Sequence, residues 1–230
     1  MDPDARRALV LRRTRIEVPP AVPELRLHLA DDVTQTWEDL ERELAQGQIP
    51  PPFWAFAWVG GQGLARYVLD APAEVAGLRV LDLATGSGLV ALAARRAGAA
   101  QVTGADVDPL AATAVALNAA LNGLEVGFTG VDLLGGPPPD VDVLLAGDVC
   151  YDRDMTERVL PWLRTAASRG VRVLLGDPGR HFLPQTGLER LAQVDVPTTR
   201  DLEGVTTKRV GVYAVRPAGT SRPPARSHSA

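Results

Sequence analysis

The stretch Val80-Leu81-Asp82-Leu83-Ala84-Thr85-Gly86-Ser87-Gly88 is an apolar run that carries one carboxylate and ends in a glycine-rich turn. A helix-like segment follows, and a second apolar run then ends in Asp106. The order of strand, glycine turn, helix and second strand with a terminal carboxylate is typical of a βαβ unit. Such a unit binds a ribose-bearing cofactor at the carboxyl ends of its strands.

The same alternation of apolar runs and helix-like segments continues along the chain, which predicts a parallel sheet with helices on both faces. The predicted strands are 79–83, 101–106, 125–129, 141–146 and 171–176, and the predicted helices are 88–97, 110–122 and 153–167. Two later runs, 191–197 and 205–215, have no helix between them, which predicts an antiparallel hairpin at the sheet edge. The expected fold is therefore α/β, with a doubly wound, seven-stranded, mostly parallel sheet.

An N-terminal extension, residues 1–74, precedes this pattern and is expected to pack on the core. Its predicted elements are a helix at 2–13, a strand at 25–29, a helix at 33–46 with Thr34 as N-cap, and a helix at 60–71. The core is then predicted to span residues 75–216. Residues 217–230, rich in Pro, Ser and Arg, are expected to form a disordered tail.

Composition and charge limit the classes of partner. The 230 residues carry a net charge of −4 and a pI of about 5.4, so no basic excess favours nucleic acid. The sequence has no run of roughly 18 apolar residues, so no membrane span is expected, and its N-terminus does not resemble a secretory signal. Cys150 is the sole cysteine, which excludes an internal disulfide and favours a reducing, cytoplasmic compartment. The dispersed His28, His181 and His228 predict no metal site.

Two cofactors compete for the glycine turn, because Gly86-x-Gly88-x-x-Ala91 also matches dinucleotide-binding loops. A nicotinamide dinucleotide would place its pyrophosphate at the helix N-terminus, near the negative charge of Asp82. S-adenosylmethionine carries no phosphate, and its ammonium and sulfonium groups complement that carboxylate. The chain also lacks a second domain to hold a hydride acceptor, so S-adenosylmethionine is favoured.

Glycine is expected in this turn because a Cβ would collide with a ligand close to the backbone. The alternative is that Gly86 and Gly88 merely form a tight turn. Asp106 is expected to accept hydrogen bonds from the two ribose hydroxyls. Asp108 precedes Pro109 and is expected to cap the next helix. Asp132 follows the third strand, where it either accepts from the adenine amine or is an ordinary loop acid.

Asp82-x-x-x-Gly86-x-Gly88, together with the predicted sheet, resembles the class I methyltransferases over about residues 75–216. Shorter segments resemble the lysine methyltransferase group called family 16, and within it the electron-transfer-flavoprotein beta-subunit lysine methyltransferases and their bacterial relatives. These segments are 22–29, 51–67, 147–152 and 176–180. The sequence departs from the family at Val59, where Pro is usual, and at Cys150, where a bulky apolar residue is usual.

The resemblance implies roles for four further residues. Trp54 and Trp58 would present flat apolar faces to the methyl donor, with a cation–π contribution from its sulfonium; the alternative is that they are core tryptophans. Asp148 and Tyr151 follow the fourth parallel strand, where the acceptor nitrogen enters in this family. We expect Asp148 to receive and orient a lysine ammonium and Tyr151 to shape the channel. The alternative is that Asp148 caps the following helix.

The resemblance favours methylation of a lysine-bearing protein, either the flavoprotein beta subunit or a ribosomal protein, by a monomeric enzyme. A small-molecule N-methyltransferase, an NAD(P)-dependent reductase and a non-catalytic cofactor-binding protein remain alternatives. A catalytic thiol at Cys150 is not expected, because no His lies near it in sequence and cysteine is commonly buried.

Overall fold

The computed structural model describes residues 1–44, 49–199 and 203–218. Helices and strands alternate through most of this length. In chain order they are α1 (Pro3–Arg13), β1 (Arg15–Glu17), β2 (Leu27–Leu29), α2 (Val33–Leu44), α3 (Val59–Asp70), β3 (Arg79–Leu83), α4 (Leu89–Arg96), β4 (Gln101–Ala105), α5 (Pro109–Asn122), β5 (Gly127–Thr129), β6 (Val143–Gly147), α6 (Arg153–Ser168), β7 (Arg172–Asp177), β8 (Leu188–Pro197) and β9 (Thr207–Val215).

The central sheet has seven strands in the order β5-β4-β3-β6-β7-β9-β8. The strands from β5 to β7 are parallel, whereas β9 runs antiparallel to both β7 and β8. This confirms the predicted mostly parallel sheet with an antiparallel hairpin at one edge. The chain winds outward in both directions from β3 and β6, so these neighbours form the switch point at which α/β sheets bind ligands.

Both faces of the sheet are covered, as continuous apolar strands require. On one face, Val80 and Leu145 belong to a cluster with side chains of α3 and α4. On the other face, Leu81 and Leu144 pack with side chains of α6. The paired strands β3 and β6 are thus fixed from both sides, and the residues that follow them are held on a rigid frame.

Helix α3 approaches the sheet very closely, because glycines meet at the contact. A Cβ on Gly147 of β6 would lie 2.7 Å from the Cα of Gly61. A Cβ on Gly60 would lie 2.7 Å from the carbonyl oxygen of Gly176 in β7. Larger side chains here would push the helix outward, so the sequence sets the depth at which α3 lies.

The N-terminal extension differs from expectation in two details. Residues 15–17 form β1, which pairs antiparallel with β2 in a separate two-stranded sheet, where the sequence predicts only an extended arm after the first helix. Pairing with β2 supplies the order that their own polar sequence does not predict. At the start of α2, Asp32 accepts a hydrogen bond from the Gln35 backbone N–H at 2.7 Å, so Asp32 and not Thr34 caps this helix.

Other boundaries shift by a few residues. The strand predicted at 191–197 begins already at Leu188, because β8 pairs with β9 as far as Val215. The predicted end of the second helix at 46 and most of the predicted tail lie outside the described residues. The division into an extension, a core and a tail stays a prediction.

Candidate active site

A cavity of about 660 Å³ opens at the carboxyl edge of β3, β4 and β6. This volume lies in the range of sites for small ligands. Residues proposed from the sequence contribute much of its wall: Trp54, Trp58, Asp82, Gly86, Asp106, Asp148 and Tyr151. The fold therefore brings together, at the switch point of the sheet, side chains that are up to about a hundred positions apart in the sequence.

Two residues that follow directly on β3 and β6 adopt the left-handed backbone conformation. They are Ala84, with φ 53°, and Asp148, with φ 58°, and both line the cavity. This region is unfavourable for residues other than glycine and is typical of functional sites, where surrounding structure enforces it. Because β3 and β6 are neighbours in the sheet, the two strained positions lie at the same edge of it.

The glycine turn shows why glycine is needed at both of its positions. Gly86 has φ 52° and Gly88 has φ 81°, values that side chains rarely tolerate. A Cβ would lie 3.3 Å from the Phe53 carbonyl oxygen at Gly86 and 3.0 Å from a methyl of Val115 at Gly88. These contacts are with the protein itself. Backbone conformation and packing therefore already require glycine at both positions, whether or not a ligand also approaches the turn.

Asp82 is a buried carboxylate at the base of the cavity, only 1% exposed. Its Oδ2 accepts hydrogen bonds from the Thr85 hydroxyl at 2.5 Å and from the Ala91 backbone N–H at 3.0 Å. Burial raises the pKa of Asp82 to about 7. Among the described residues, Asp82 has no basic ion-pair partner, so a cationic ligand in the cavity would stabilise its charge.

Asp106 joins the end of β4 to the glycine turn. Its Oδ2 accepts from the Gly86 backbone N–H at 2.9 Å and its Oδ1 from the Asp108 backbone N–H at 3.0 Å. Burial raises the pKa of Asp106 above its ordinary value. The carboxylate is held at the cavity wall, and its contact with ribose stays a prediction. Asp108 accepts from the Leu110 N–H at 2.8 Å, which confirms it as the cap of α5.

Asp132 lies apart from the other predicted ligand-binding residues and is not among those that line the cavity. Its Oδ1 accepts from the Leu134 backbone N–H at 3.1 Å, and its Oδ2 pairs with Arg158 of α6 at 2.6 Å. Its side chain is 48% exposed. This geometry favours the alternative of an ordinary loop acid, because both oxygens are already engaged away from the cavity.

Asp148 is almost buried, and each of its oxygens has a protein partner. Oδ2 accepts from the Gly60 backbone N–H at 2.5 Å, and Oδ1 accepts from Nε of Arg180 at 2.8 Å. Burial raises the pKa of Asp148, and the Arg180 guanidinium opposes that effect. The alternative that Asp148 caps the following helix is wrong, because Asp152 caps α6 through the Met155 N–H at 2.8 Å. Asp148 instead satisfies a free N–H at the start of α3.

Tyr151 lies at the cavity mouth, 43% exposed, with its ring centre 5.1 Å from that of Phe53. Burial of its hydroxyl raises the pKa of Tyr151 to about 12, so it is a neutral phenol at ordinary pH. The neighbouring Cys150 is fully buried, and burial raises the pKa of its thiol to about 12. A thiolate nucleophile is therefore disfavoured at this position.

The two tryptophans play different structural parts. Trp58 precedes α3, and its Nε1 donates to the Phe53 carbonyl oxygen at 3.1 Å. Trp54 is 1% exposed and packs in a cluster with Leu9 and Leu40, which supports the core alternative for this residue. Its Nε1 is nevertheless buried without a hydrogen-bond partner, although Trp54 also lines the cavity. A buried orphan donor of this kind fits a site that accepts a polar ligand.

Two further cavity residues, Thr85 and Phe53, were given no role from the sequence. A third, Arg180, was named only as part of the turn at 177–181, which was expected either to contact the protein substrate or to be a plain turn. Thr85 orients Asp82, Phe53 packs against both Trp58 and Tyr151, and Arg180 pairs with Asp148. Thr85 lies inside the motif itself, so its position in the turn was the available signal. The contact of Arg180 depends on the folding of the turn after β7 and has no local signature. Among the described residues, no group of His, Cys, Asp and Glu suits a metal ion, and no helix is long and apolar enough to span a membrane.

Residues 67–147 match the model of the ribosomal protein L11 methyltransferase (PrmA) family. A ribosomal protein L11 methyltransferase of Geobacter sulfurreducens is 40% identical over 123 residues, which cover 52% of this chain and 40% of that protein. Among solved structures, the magnesium protoporphyrin IX methyltransferase of Synechocystis PCC 6803 with bound S-adenosylmethionine is 21% identical. Its TM-score is 0.51, with 81% of this chain and 97% of that chain covered, a likeness of fold alone.

Longer matches come from one group of lysine methyltransferases. The electron transfer flavoprotein beta subunit lysine methyltransferase of Danio rerio is 36% identical over 204 residues, covering 85% of this chain and 78% of that protein. The Xenopus laevis protein of the same name is 38% identical over 176 residues, covering 76% and 70%. Identity at this level over most of both proteins shows common descent, so the chain belongs to the electron transfer flavoprotein beta subunit lysine methyltransferase family.

Proposed function

We propose that this chain transfers a methyl group from S-adenosylmethionine to a lysine side chain of a protein. The observation that carries the proposal is the buried Asp82, without a basic partner among the described residues, at the base of a 660 Å³ cavity. Burial raises the pKa of Asp82 to about 7, so a cation in the cavity would stabilise its charged form, and the donor brings an ammonium and a sulfonium. The members of the family to which the chain belongs are named as lysine methyltransferases.

The donor end of the cavity is built from β3, β4 and the glycine turn. Asp82 would bind the amino group of the donor, and Asp106 would accept hydrogen bonds from its ribose. Trp58 offers an aromatic face nearby, and the unpartnered Nε1 of Trp54 offers a hydrogen-bond donor. When bound, S-adenosylmethionine supplies an electrophilic methyl group on its sulfonium.

The acceptor end of the cavity lies at Asp148 and Tyr151, which follow β6. Only a neutral amine attacks the methyl group, and lysine has a pKa near 10.4 in water. Asp148 would receive and orient the incoming ammonium, since a carboxylate oxygen holding one hydrogen bond still has a free lone pair. Tyr151, as a neutral phenol, would line the channel and accept a hydrogen bond. The nearby cationic sulfonium would lower the pKa of the ammonium, so that its proton passes to water at the exposed end of the cavity before transfer. Asp148 and Tyr151 would then place the neutral amine at attack distance.

The partner would be the beta subunit of an electron transfer flavoprotein, because relatives matched over most of their length carry that substrate in their names. Ribosomal protein L11 is the second protein to test, because the family model over residues 67–147 carries that name. The labelling experiment described next tests each of the two proteins as the substrate.

The test incubates the purified chain with radiolabelled S-adenosylmethionine and each unmethylated protein in turn. Label on one protein, located on a lysine by mass spectrometry, would support the proposal and identify the substrate. Asp82→Asn, which keeps the shape of the side chain without its charge, is the control and is expected to lose most of the label. Label confined to small molecules of a host lysate would contradict a protein acceptor. Donor binding without any methyl transfer would contradict an enzyme.

A further inference from the structure

Arg180 is a residue of the cavity wall to which the proposed reaction assigns no part. It follows β7 in a turn that Asp177 closes, since Oδ1 of Asp177 accepts from the backbone N–H groups of Gly179 and Arg180, each at 2.7 Å. A carboxylate that binds successive N–H groups fixes such a turn. The backbone of Arg180 is therefore held at the carboxyl edge of the sheet.

The guanidinium of Arg180 joins two parts of the chain that are remote in sequence. Its Nε donates to Oδ1 of Asp148 at 2.8 Å, while Nη1 and Nη2 donate to the two oxygens of Glu203 at 3.0 and 2.7 Å. The side chain of Glu203 is only 2% exposed, so the carboxylate of this two-bond pair is shielded from water. A guanidinium fork bound in this way has little freedom to rotate.

The acceptor end has more buried carboxylates than buried cations among the described residues. Asp148, Asp177 and Glu203 surround the single guanidinium of Arg180, and Lys208 approaches Glu203 only at 4.0 Å. Oδ2 of Asp177 is buried without a hydrogen-bond partner. An acceptor that enters as an ammonium ion would complete the balance of charge at this end of the cavity.

We propose that Arg180 is a positioning residue for methyl transfer, which holds the Asp148 carboxylate at the acceptor end and ties it to the β8–β9 connection through Glu203. This inference rests on the proposed function. Asp148 has a left-handed backbone, with φ 58°, and its oxygens are held by Gly60 and by Arg180. Without the guanidinium, only the Gly60 N–H would fix the orientation of the carboxylate.

Four ionisable side chains affect the charge of Asp148. Arg180 favours the carboxylate, and Glu203 opposes it. Asp177 and Cys150 interact with Asp148 through the same buried region. From α3, the Gly60 N–H donates to it. Removal of the Arg180 charge would therefore raise the pKa of Asp148 further, because the guanidinium no longer counteracts the effect of burial. The carboxylate would then take up a proton at higher pH.

The experiment compares Arg180→Met and Arg180→Lys with the parent chain, using the flavoprotein beta subunit as acceptor. The expected result for Arg180→Met is a loss of kcat of about tenfold or more with little change in the Kd for S-adenosylmethionine, because orientation at the acceptor end is lost. The value of kcat/KM is expected to fall on the acidic side of the pH profile, and in Arg180→Met this fall should begin at a higher pH than in the parent. Arg180→Lys keeps the charge without the fork, so it should recover the pH profile and only part of kcat.

Arg209→Met is the matched control, because Arg209 makes an exposed ion pair with Asp195 on the outer strands. It should match the parent in every measurement. Thermal unfolding and donor binding show whether each variant is folded. Glu203→Gln loosens only the far end of Arg180, so it should lower kcat by less than Arg180→Met does. Because Glu203 opposes the charge of Asp148, this variant should move the pH profile downward and not upward. If the parent is active and Arg180→Met has the same kcat and the same pH profile, the positioning role of Arg180 would be wrong, while the proposed function would stand. A parent that binds the donor and methylates no acceptor would overturn the proposed function and this inference with it.

Discussion

The charge of Asp82 is expected to govern binding of the methyl donor. Burial raises the pKa of Asp82 to about 7, and a cationic donor favours the carboxylate form. The affinity for S-adenosylmethionine should therefore rise with pH up to about 7 and level off above it. Asp82→Asn should bind the donor ~10- to 100-fold more weakly at pH 8, since one charge-assisted hydrogen bond is lost, and should show little dependence on pH.

Titration calorimetry from pH 5.5 to 8.5 checks this expectation, with Asp195→Asn on the exposed side of β8 as a control that leaves binding unchanged. The same group affects the stability of the protein without ligand. The folded state keeps a proton on Asp82 that the unfolded chain loses near pH 4, so stability should fall as the pH rises from about 4 to 7. A parent protein with pH-independent donor affinity would contradict the assigned role of Asp82.

Single residues were predictable from the sequence where the motif carries its own geometry. The positions of Asp82 and Asp106 in the cavity follow from strand ends, and Asp108 follows from the Pro that succeeds it. Asp132 shows the limit of this reasoning, because the ion pair that holds it depends on Arg158 in a remote helix. The partners of Asp148 were equally hidden, since Gly60 and Arg180 reach it only when α3 and the turn after β7 have packed.

The close contact between α3 and the sheet predicts opposite effects for two adjacent glycines. In Gly60→Ala, the new Cβ would lie 2.7 Å from Oδ2 of Asp148 and from the Gly176 carbonyl oxygen, so helix or carboxylate must shift. Overpacking of this kind costs about 1–3 kcal/mol. Turnover should fall as well, because Asp148 is displaced.

Gly61→Ala provides the comparison within the same helix turn. Its Cβ would meet only a methyl group of Val90, at 3.7 Å, which is an ordinary contact. Alanine favours the helix over glycine by up to about 1 kcal/mol, so the free energy of unfolding should stay equal or increase. Urea denaturation of both variants measures the difference. Equal loss of stability in the two would show that α3 does not lie as close to the sheet as described.

The N-terminus of α5 allows a second test of an element boundary. Asp108 accepts from the Leu110 N–H at 2.8 Å, so Asp108→Ala should lower the free energy of unfolding by about 1 kcal/mol. Asp108→Asn keeps a capping oxygen and should be nearly neutral. Because Asp108 also lines the cavity, donor affinity is measured in parallel by calorimetry. If the alanine variant were as stable as the parent, this cap would contribute nothing to the fold.

The order of the elements was predictable because helices and strands differ in the periodicity of their apolar residues. The ends of the elements depend instead on tertiary pairing. The apolar run of β3 was predicted within its observed bounds, since its residues are buried on both faces. By contrast, β1 is a strand only because β2 lies beside it, and β8 extends to Leu188 only because β9 continues opposite it. Local sequence carries no information about a partner strand that is distant along the chain.

The single thiol of the sequence allows opening of the whole fold to be measured. Cys150 is fully buried after β6, and burial raises its pKa to about 12, so it should resist alkylation in the native protein. Labelling then requires opening of the fold. The donor stabilises the folded state by mass action, so S-adenosylmethionine at 100 times its Kd should slow labelling about 100-fold if the opening is global.

The measurement is the rate of iodoacetamide labelling with and without the donor, followed by mass spectrometry, with denatured protein as the control that labels at once. A smaller protective effect would indicate local opening around β6 and α6 that does not release the donor. Rapid labelling that the donor leaves unchanged would contradict the burial of Cys150. Since β6 also positions Asp148, protection of this thiol reports on the rigidity of the strand that carries the acceptor end of the site.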